Sequence, residues 1–336
     1  MNYYIQIPSP NKAKDDVDVL FAKMGYANLS LASACHHPVW RFVTRLIAIA
    51  RILTHVGKGD VLCLQYPMKK FYVIACRRTH LKGGRVITII HDLGAFRRKK
   101  LTIGEENRKL ENTDFLIVHN EKMKQHLQDN GCRVPIFCLD IFDFLTEATP
   151  RPAQPLHHPC RVVFAGKLAR WRNEFLYHLE EIAANWTLDV YGDGFAIDTT
   201  EKSHVHPRGS LTPNEFVNNV EADFGLVWDG SSLDECDGEW GRYLLINNPH
   251  KTSFYLRAGI PVIVWDKAAM APFVQQEGIG ICIQSIRKLN SVLASITDDQ
   301  YARLRANAMA FSEKLGSGYY TQRAFNEGMK VLNVKD

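Results

Sequence analysis

The sequence lacks the features that mark disulfide-stabilised, zinc-binding, membrane-spanning and secreted proteins. Its eight cysteines include no C-x-x-C pair, and Cys63, Cys76 and Cys138 lie within apolar runs. We therefore expect buried free thiols in a reducing compartment, and neither a disulfide framework nor a cysteine zinc site. No stretch approaches the about 18 apolar residues that a spanning helix needs. The first ten residues lack the layout of a signal peptide, so we expect a cytoplasmic protein.

Acidic residues are scarce in one part of the chain. Residues 1–150 hold 22 Lys/Arg against 14 Asp/Glu, whereas residues 151–336 hold 19 against 22. Between residues 41 and 100 there are 14 basic residues and only two acids, Asp60 and Asp92. Any anionic partner should therefore meet the first half of the chain.

Proline marks the division of the chain. Three prolines between residues 150 and 155 exclude a helix or a central strand there and indicate a linker. On both sides of it, apolar β-rich runs alternate with helical patterns, which predicts parallel sheets covered on both faces. The predicted strands are 3–7, 60–66, 85–91, 114–119, 134–139, 161–166, 187–192, 223–228, 261–265 and 279–284.

These patterns predict an α/β protein of two Rossmann-like domains facing each other across a cleft. The predicted organisation is a first domain at 1–149, a linker at 150–160, a second domain at 161–316, and a C-terminal helix at 317–336 that crosses back to the first domain. Ligands of such sheets bind beyond the carboxyl ends of the strands, so those residues are the ones to inspect.

The segment after residue 246 predicts an anion site at the start of a helix. Asn247 or Asn248 can cap a helix whose first position is Pro249, and Lys251 and Thr252 then lie in its first turn. A capped helix with a solvated lysine is the alternative. A positive charge there opposes the helix dipole unless an anion compensates it, which favours phosphate binding.

Glycines follow two predicted strands of the second half. Gly166 and Lys167 end one of them, where the lysine could reach a diphosphate. A loop containing Asp193 follows the next and can bend against a base or ribose. Each is weak alone, since glycine after a strand is usually a turn, but together they indicate one ligand-binding rim.

These segments resemble the nucleotide-binding half of GT-B glycosyltransferases. The similar segments are FAGKL (164–168), VYGDG (190–194), HPRGSLTPNEF (206–216), ADFGLVW (222–228) and NNPHKTSFYLRAGIPVIVW (247–265). The first half is similar in NKAKDDVDVLFAKMGY (11–26), IIHDLGAFR (89–97) and NTDFLIVHNEKMKQHLQDNG (112–131). The resemblance is to the bacterial galactofuranosyltransferase and glucosyltransferase-3-like family, and it extends over essentially the whole chain.

The resemblance implies an inverting, metal-independent hexosyltransferase that uses a UDP-sugar and needs no cofactor. Galactofuranose is the favoured sugar and glucose the next, with a glycan acceptor that could be lipid-linked. Many retaining GT-B enzymes carry a glutamate near residues 247–251, and its absence here leaves the donor sugar open. The resemblance implies that Tyr243, Asn248 and Lys251 bind the diphosphate. It implies that Asp193, Ser210 and Glu215 line the uridine.

An inverting transferase needs a base for the acceptor hydroxyl. Asp92 and His91 end a predicted strand of the first half, and Asp92 is the leading candidate. The alternative is that Asp92 only caps the turn before Gly94. Arg97 nearby could contact the acceptor.

One acidic pattern is similar to a metal motif, and a second acidic segment lies in a predicted loop. Asp16 and Asp18 form a D-x-D pattern on a predicted helix, where side chains at i and i+2 diverge, so we expect a solvated helix face. Residues 234–239 form an acidic loop that either orders over the donor or is simply solvated. We predict no metal site.

The basic residues of the first half favour an anionic membrane surface over nucleic acid, for which no recognition motif appears. Helix 38–56 should pack its apolar arc on the sheet and leave a basic face solvated. Homo-oligomerisation stays open. The residues expected to face an acceptor or membrane are Arg97, Arg98, Lys99 and Lys100.

Two other functions remain open from the residues alone. One is a UDP-sugar epimerase, which would need carboxylates and a histidine around the donor. The other is a catalytically silent subunit of GT-B architecture, which should tolerate loss of the diphosphate site.

Overall fold

The computed structural model describes residues 1–6, 11–31, 38–68, 71–98, 101–195 and 203–333. The chain forms two compact units: Met1–Asp140 with Tyr320–Asp336, and Ile141–Tyr319. Each unit contains one six-stranded sheet, and every strand pair in the described ranges is parallel. The predicted α/β class is therefore confirmed.

The first unit has the strand order β2-β1-β3-β4-β5-β6. Its strands β3 to β5 are almost continuously buried, because helices cover a parallel sheet on both faces. In chain order its elements are β1 (Asn2–Tyr4), α1 (Lys12–Lys23), β2 (Ala27–Asn28), α2 (Pro38–His55), β3 (Val61–Tyr66), α3 (Phe71–Leu81), β4 (Arg85–Ile90), α4 (Gly94–Arg98), α5 (Ile103–Leu110), β5 (Phe115–Val118), α6 (Glu121–Asp129) and β6 (Ile136–Cys138).

The second unit has the strand order β12-β11-β10-β7-β8-β9, so β10 and β8 flank β7. Its elements are β7 (Cys160–Ala165), β8 (Trp186–Tyr191), β9 (Val205–Pro207), α7 (Pro213–Asn219), β10 (Phe224–Val227), α8 (Gly238–Tyr243), α9 (His250–Arg257), β11 (Val262–Trp265), α10 (Ala271–Glu277), β12 (Gly280–Ile283), α11 (Leu289–Ala294) and α12 (Asp298–Ser317). The last helix, α13 (Tyr319–Asn333), follows.

Helix α13 packs within the first unit. Arg323 bonds to Asp140 at 2.7 Å, and the Phe325 ring lies 5.1 Å from the Phe21 ring. Gly328 faces the Phe115 ring so closely that a Cβ there would lie 2.3 Å from it. The end of the chain thus completes the core of the unit that contains its beginning.

The segment before the prolines packs on α9 in the second unit. The Phe144 ring stacks on His250 and Phe254, with centroids 4.9 and 5.0 Å away. Arg257 donates to the carbonyl oxygens of Thr146 and Ala148 at 3.1 and 2.7 Å. These contacts hold the helix whose first turn contains Lys251.

Helix α2 does not pack as predicted. Thr44, Ala48 and Ile52 face the core, while Leu46 and Leu53 are exposed. The apolar arc was expected to be buried on the sheet, but the buried face is the one that carries Thr44, Ala48 and Ile52. Helical periodicity identifies the faces of a helix but not which face meets the sheet.

Both aspartates of the D-x-D pattern are buried, so the predicted solvated helix face is wrong. Asp16 pairs with Lys12, whereas Asp18 accepts from Gln65 Nε2 at 2.6 Å. Burial raises the pKa of Asp18 to about 7, against the opposing effect of the Gln65 hydrogen bond. Within the described ranges, no group of His, Cys, Asp or Glu side chains is placed to hold a metal ion.

Five of the described cysteines are buried thiols: Cys63, Cys76, Cys132, Cys160 and Cys236. Cys138 is half-buried, and its thiol donates to Glu121 Oε1 at 3.1 Å. No described cysteine forms a disulfide. Across the part of the chain that the structure covers, no helix is both long and apolar enough to cross a membrane.

Candidate functional site

The carboxyl ends of β7 and β8 lie in backbone contact. The Gly166 N–H donates to the Tyr191 carbonyl oxygen at 2.9 Å. Gly166 and Gly192 have φ angles of 134° and 141°, which favour glycine. A Cβ on Gly192 would lie 1.8 Å from the Gly166 carbonyl oxygen. Only glycine fits at position 192, and the two predicted strand-end loops are thereby brought together.

Lys251 extends from the first turn of α9 across the end of β7. Its Nζ lies 3.8 Å from the centroid of the Phe164 ring, and its Cε would be 3.5 Å from a Cβ on Gly166. The ammonium donates to Trp228 O and Asp229 Oδ1, both at 3.4 Å. Lys251, predicted in an anion site at the start of a helix, therefore lies beside Gly166 of the predicted ligand-binding rim.

Asp229 is the partner that balances this ammonium. It lies two residues after the end of β10, and its side chain is 3% exposed. Arg172 donates to its two oxygens at 3.0 and 3.4 Å. Burial alone would raise the pKa of Asp229, but Lys251 and then Arg172 outweigh burial and hold the pKa below its usual range.

Neither Asp229 nor Arg172 was predicted as a site residue. Asp229 carries the same signal that singled out Asp92, a carboxylate directly after a buried strand with glycine nearby, and could have been found by that rule. Arg172 lies in irregular chain after Gly166, where no periodicity points to a partner. Arg172, Asp229 and Lys251 together form what we call the charge cluster.

The charge cluster has one more cation than it has anions. Lys251 and Arg172 each contact Asp229, and the Lys251 side chain is 12% exposed. Burial lowers the pKa of Lys251 to about 8, although the charge of Asp229 raises it. An additional anionic oxygen at this edge of the sheet would complete the neutralisation.

The start of α9 differs by one residue from the prediction. Pro249 is the N-cap, and no side chain caps the helix. Neither Asn247 nor Asn248 has the predicted capping role, because proline ends the extended segment and the helix begins after it. Thr252 is completely buried, with an Oγ1 that has no hydrogen-bond partner, so it lies on the core side of α9.

The other predicted donor residues lie at different depths. Asp193 and Ser210 are exposed, whereas Tyr243 and Asn248 are buried. Glu215 forms the capping box of α7, in which its Oε2 accepts from the Thr212 N–H at 2.8 Å. Lys167 lies with its Nζ 5.3 Å from the centroid of the Trp171 ring.

In the first unit, Asp92 follows β4 and is held by an arginine. Arg97 donates to Asp92 Oδ1 at 2.6 Å, and the Asp92 side chain is 21% exposed. Arg97 was predicted to face an acceptor or membrane, and its side chain is largely buried in this ion pair. Lys99 and Lys100 lie outside the described residues, as does the side chain of Arg98.

His91 belongs to a buried chain of polar side chains. Its Nε2 lies 2.7 Å from Gln65 Oε1, and Gln65 Nε2 donates to Asp18 and to the Lys14 carbonyl oxygen. A carbonyl can only accept, so the Gln65 amide nitrogen must face Lys14 and its oxygen must face His91. His91 therefore donates from Nε2, which assigns any basic role of the neutral ring to Nδ1.

Both halves of the chain match one family of known proteins. Models of the glucosyltransferase 3-like N-terminal and C-terminal domains match residues 6–141 and 162–328. β-1,6-Galactofuranosyltransferase WbbI of Escherichia coli (strain K12) is 30% identical over 325 residues, which are 95% of this chain and 94% of that protein. The chain belongs to the glucosyltransferase 3-like family.

Other members and solved structures agree with this assignment. Glucosyltransferase 3 of Streptococcus gordonii is 25% identical, over 84% of this chain and 83% of that protein. The fold is similar to sucrose-phosphate synthase from Thermosynechococcus elongatus, with a TM-score of 0.63, 13% identity and coverage of 99% and 98% of the two chains. It is also similar to the lipopolysaccharide outer core galactosyltransferase WaaB, with a TM-score of 0.57, 11% identity and coverage of 98% and 99%.

This member of the glucosyltransferase 3-like family is thus a glycosyltransferase of GT-B fold, as the sequence resemblance implied. The structural similarities, at identities of 13% and 11%, bear on the fold alone.

The burial of Lys251 predicts an unusual titration. After reductive methylation with ¹³C-formaldehyde, the NMR signal that Lys251→Arg removes should titrate near pH 8, because burial disfavours the ammonium. Asp229→Asn should lower that pKa further, because it removes the charge that favours the ammonium. A Lys251 signal that titrates with ordinary lysines at about pH 10 would contradict the described environment.

Proposed function

We propose that this glycosyltransferase transfers a hexose from a UDP-sugar to a hydroxyl of a cell-surface glycan precursor, with inversion at the anomeric carbon. Galactofuranose is the first candidate sugar and glucose the second, since one relative is a β-1,6-galactofuranosyltransferase and others are glucosyltransferases. The observation that carries the proposal is the charge cluster at the ends of β7 and β10.

The charge cluster suits a leaving diphosphate. Its two cations outnumber its one anion, and they lie beyond the carboxyl ends of the strands, where ligands of parallel sheets bind. Positive groups that are already fixed stabilise the charge that develops on the β-phosphate oxygen without reorganising during the reaction. In this proposal Lys251 contacts the diphosphate, and Asp229 and Arg172 hold the ammonium in place.

The reaction is a single displacement. The acceptor oxygen bonds to the anomeric carbon, the bond from that carbon to the β-phosphate oxygen breaks with its electron pair, and UDP leaves. The hydroxyl proton passes to a base. We propose Asp92 for this base, since Arg97 orients one of its oxygens and its side chain is more exposed than the buried His91.

Calorimetry with UDP tests the donor site. Wild-type protein should bind UDP, and Lys251→Met should weaken binding about tenfold or more, because it removes a charge-assisted contact. Lys267→Met, at an exposed lysine of the same unit, is the matched control and should bind like wild type. Scanning calorimetry of each variant separates lost binding from lost folding.

Two experimental results would contradict the proposed donor. Absence of UDP binding by wild-type protein would favour a silent subunit. UDP binding without release of UDP from UDP-galactofuranose or UDP-glucose, in a survey of glycan acceptors, would contradict the proposed donors.

Replacement of the base should affect turnover and leave nucleotide binding intact. Asp92→Asn should lower kcat by about 10²- to 10⁴-fold, with an unchanged Kd for UDP, because general bases contribute by that amount. Asp129→Asn, at an exposed carboxylate of the same unit, should retain wild-type kcat. Retained kcat in Asp92→Asn combined with lost kcat in His91→Asn would transfer the role to His91.

We also propose that the first unit docks on an anionic membrane surface through α2. Helix α2 contains three arginines and no acid, and its outer face exposes Phe42, Leu46 and Leu53. Basic residues beside an exposed apolar face are the pattern that inserts into the headgroup region of anionic lipid. This position would bring the acceptor-binding half to a lipid-linked glycan.

Vesicle co-sedimentation tests this docking. Leu46→Asp with Leu53→Asp should reduce binding to vesicles of phosphatidylglycerol and phosphatidylcholine, whereas Val19→Asp, at an exposed valine of α1, should not. Unchanged vesicle binding by the double variant would contradict the proposal. The proposal would also be contradicted if the wild-type protein did not bind vesicles and the double variant shifted from oligomer to monomer, since the exposed face of α2 would then bind a second copy.

A further inference from the structure

Two tryptophans lie just outside the charge cluster. Trp171 is 64% exposed, and its ring centroid lies 5.9 Å from that of Trp240 in α8, with the planes at 54°. An indole that is mostly exposed to water forgoes the burial that large aromatic side chains usually gain. Trp240 is half-buried, so the exposed surface of the pair belongs mainly to Trp171, and on an enzyme it suggests a ligand that covers it.

Contacts connect the two rings to the charge cluster. The Arg172 guanidinium lies 4.0 Å over the Trp240 ring while it donates to Asp229. On the other ring, Lys167 Nζ is 5.3 Å from the Trp171 centroid. A continuous series of contacts thus runs from Lys251 through Asp229 and Arg172 to the indoles.

The sheet order indicates which part of a donor would reach these rings. The nucleoside is assigned to the loop after β8, which contains Asp193, and β8 lies on one side of β7. Asp229 follows β10 on the other side of β7, and Trp240 lies in the helix after it. With the diphosphate at Lys251 in the middle, the sugar extends toward the indoles.

We propose that Trp171 and Trp240 form a platform for the hexose ring of the donor. The C–H groups of a sugar face carry partial positive charge and suit the negative face of an indole. The neighbouring cations Arg172 and Lys167 orient the rings by cation–π contact. This subsite rests on the proposed UDP-sugar function and adds the residues that would bind the sugar.

Comparison of UDP with UDP-hexose tests the platform. Trp171→Ala should raise KM for the productive UDP-hexose about tenfold, while the Kd for UDP changes less than about twofold, because UDP has no hexose. Trp171→Phe should recover part of the loss. Trp240→Ala should act in the same direction and, combined with Trp171→Ala, add to the effect.

Tyr319→Ala is the matched control. Tyr319 is an exposed aromatic residue of the same unit with a lysine near its ring, Lys314 at 5.9 Å, but it lies at the start of α13. It should leave both KM and the Kd for UDP unchanged. Trp171→Ala leaves the Arg172–Trp240 contact in place, so it separates the platform from the charge cluster.

Each other outcome overturns the proposal in a distinguishable way. Equal weakening of UDP and UDP-hexose by Trp171→Ala would assign the indoles to the nucleobase. Unchanged KM in the double variant would show that the rings bind no part of the donor. Absence of UDP binding by wild-type protein would overturn the donor function itself, and with it the platform.

Discussion

The buried carboxylate of Asp229 is the constraint on which the candidate donor site depends. A carboxylate that is almost completely buried is tolerated only when it is paired and hydrogen-bonded. Lys251 and Arg172 supply both, from α9 and from the chain after β7, so three separate parts of the second unit meet at one charge. Removal of one partner from such a buried pair costs about 3–5 kcal/mol in other proteins, since the remaining charge stays buried.

This pairing explains why the site can be both rigid and receptive to an anion. Asp229 determines where the two cations lie, and they outnumber it by one. Gly166 keeps a side chain out of the space beside Lys251, because a Cβ there would lie 3.5 Å from Lys251 Cε, and Gly192 lets the loops after β7 and β8 meet. The site thus combines a fixed excess positive charge with room for close approach, as phosphate recognition requires.

Much of the fold could be predicted from the sequence, because buried parallel strands are nearly continuous apolar runs. The short strands β2 and β9 were not predicted, since Ala27–Asn28 and Val205–Pro207 lack the apolar run that marked the other strands. The predictions of the buried face of α2 and of a solvated D-x-D pattern were wrong for the same reason. Periodicity gives the faces of a helix, whereas the choice of the buried face depends on side chains such as Gln65, far away in the chain, that become neighbours only on folding.

The site shows the same limit. Lys251 could be found because a lysine in the first turn opposes the helix dipole, which is a local anomaly. Arg172 could not be found, because its partner is distant in the chain and its own segment has no regular structure. The pair of Trp171 and Trp240 becomes noticeable only once the exposure of Trp171 and the proximity of the two rings are known.

The most direct test of the central claim is a crystal structure of the protein with UDP. The account predicts that a phosphate oxygen lies within hydrogen-bond distance of Lys251 Nζ, with Asp229 still paired to Arg172. The rival location is a cavity of about 400 Å³ lined by basic residues that include His157, Arg161, His206 and Arg208. UDP bound there, with no density beside Lys251, would contradict the account.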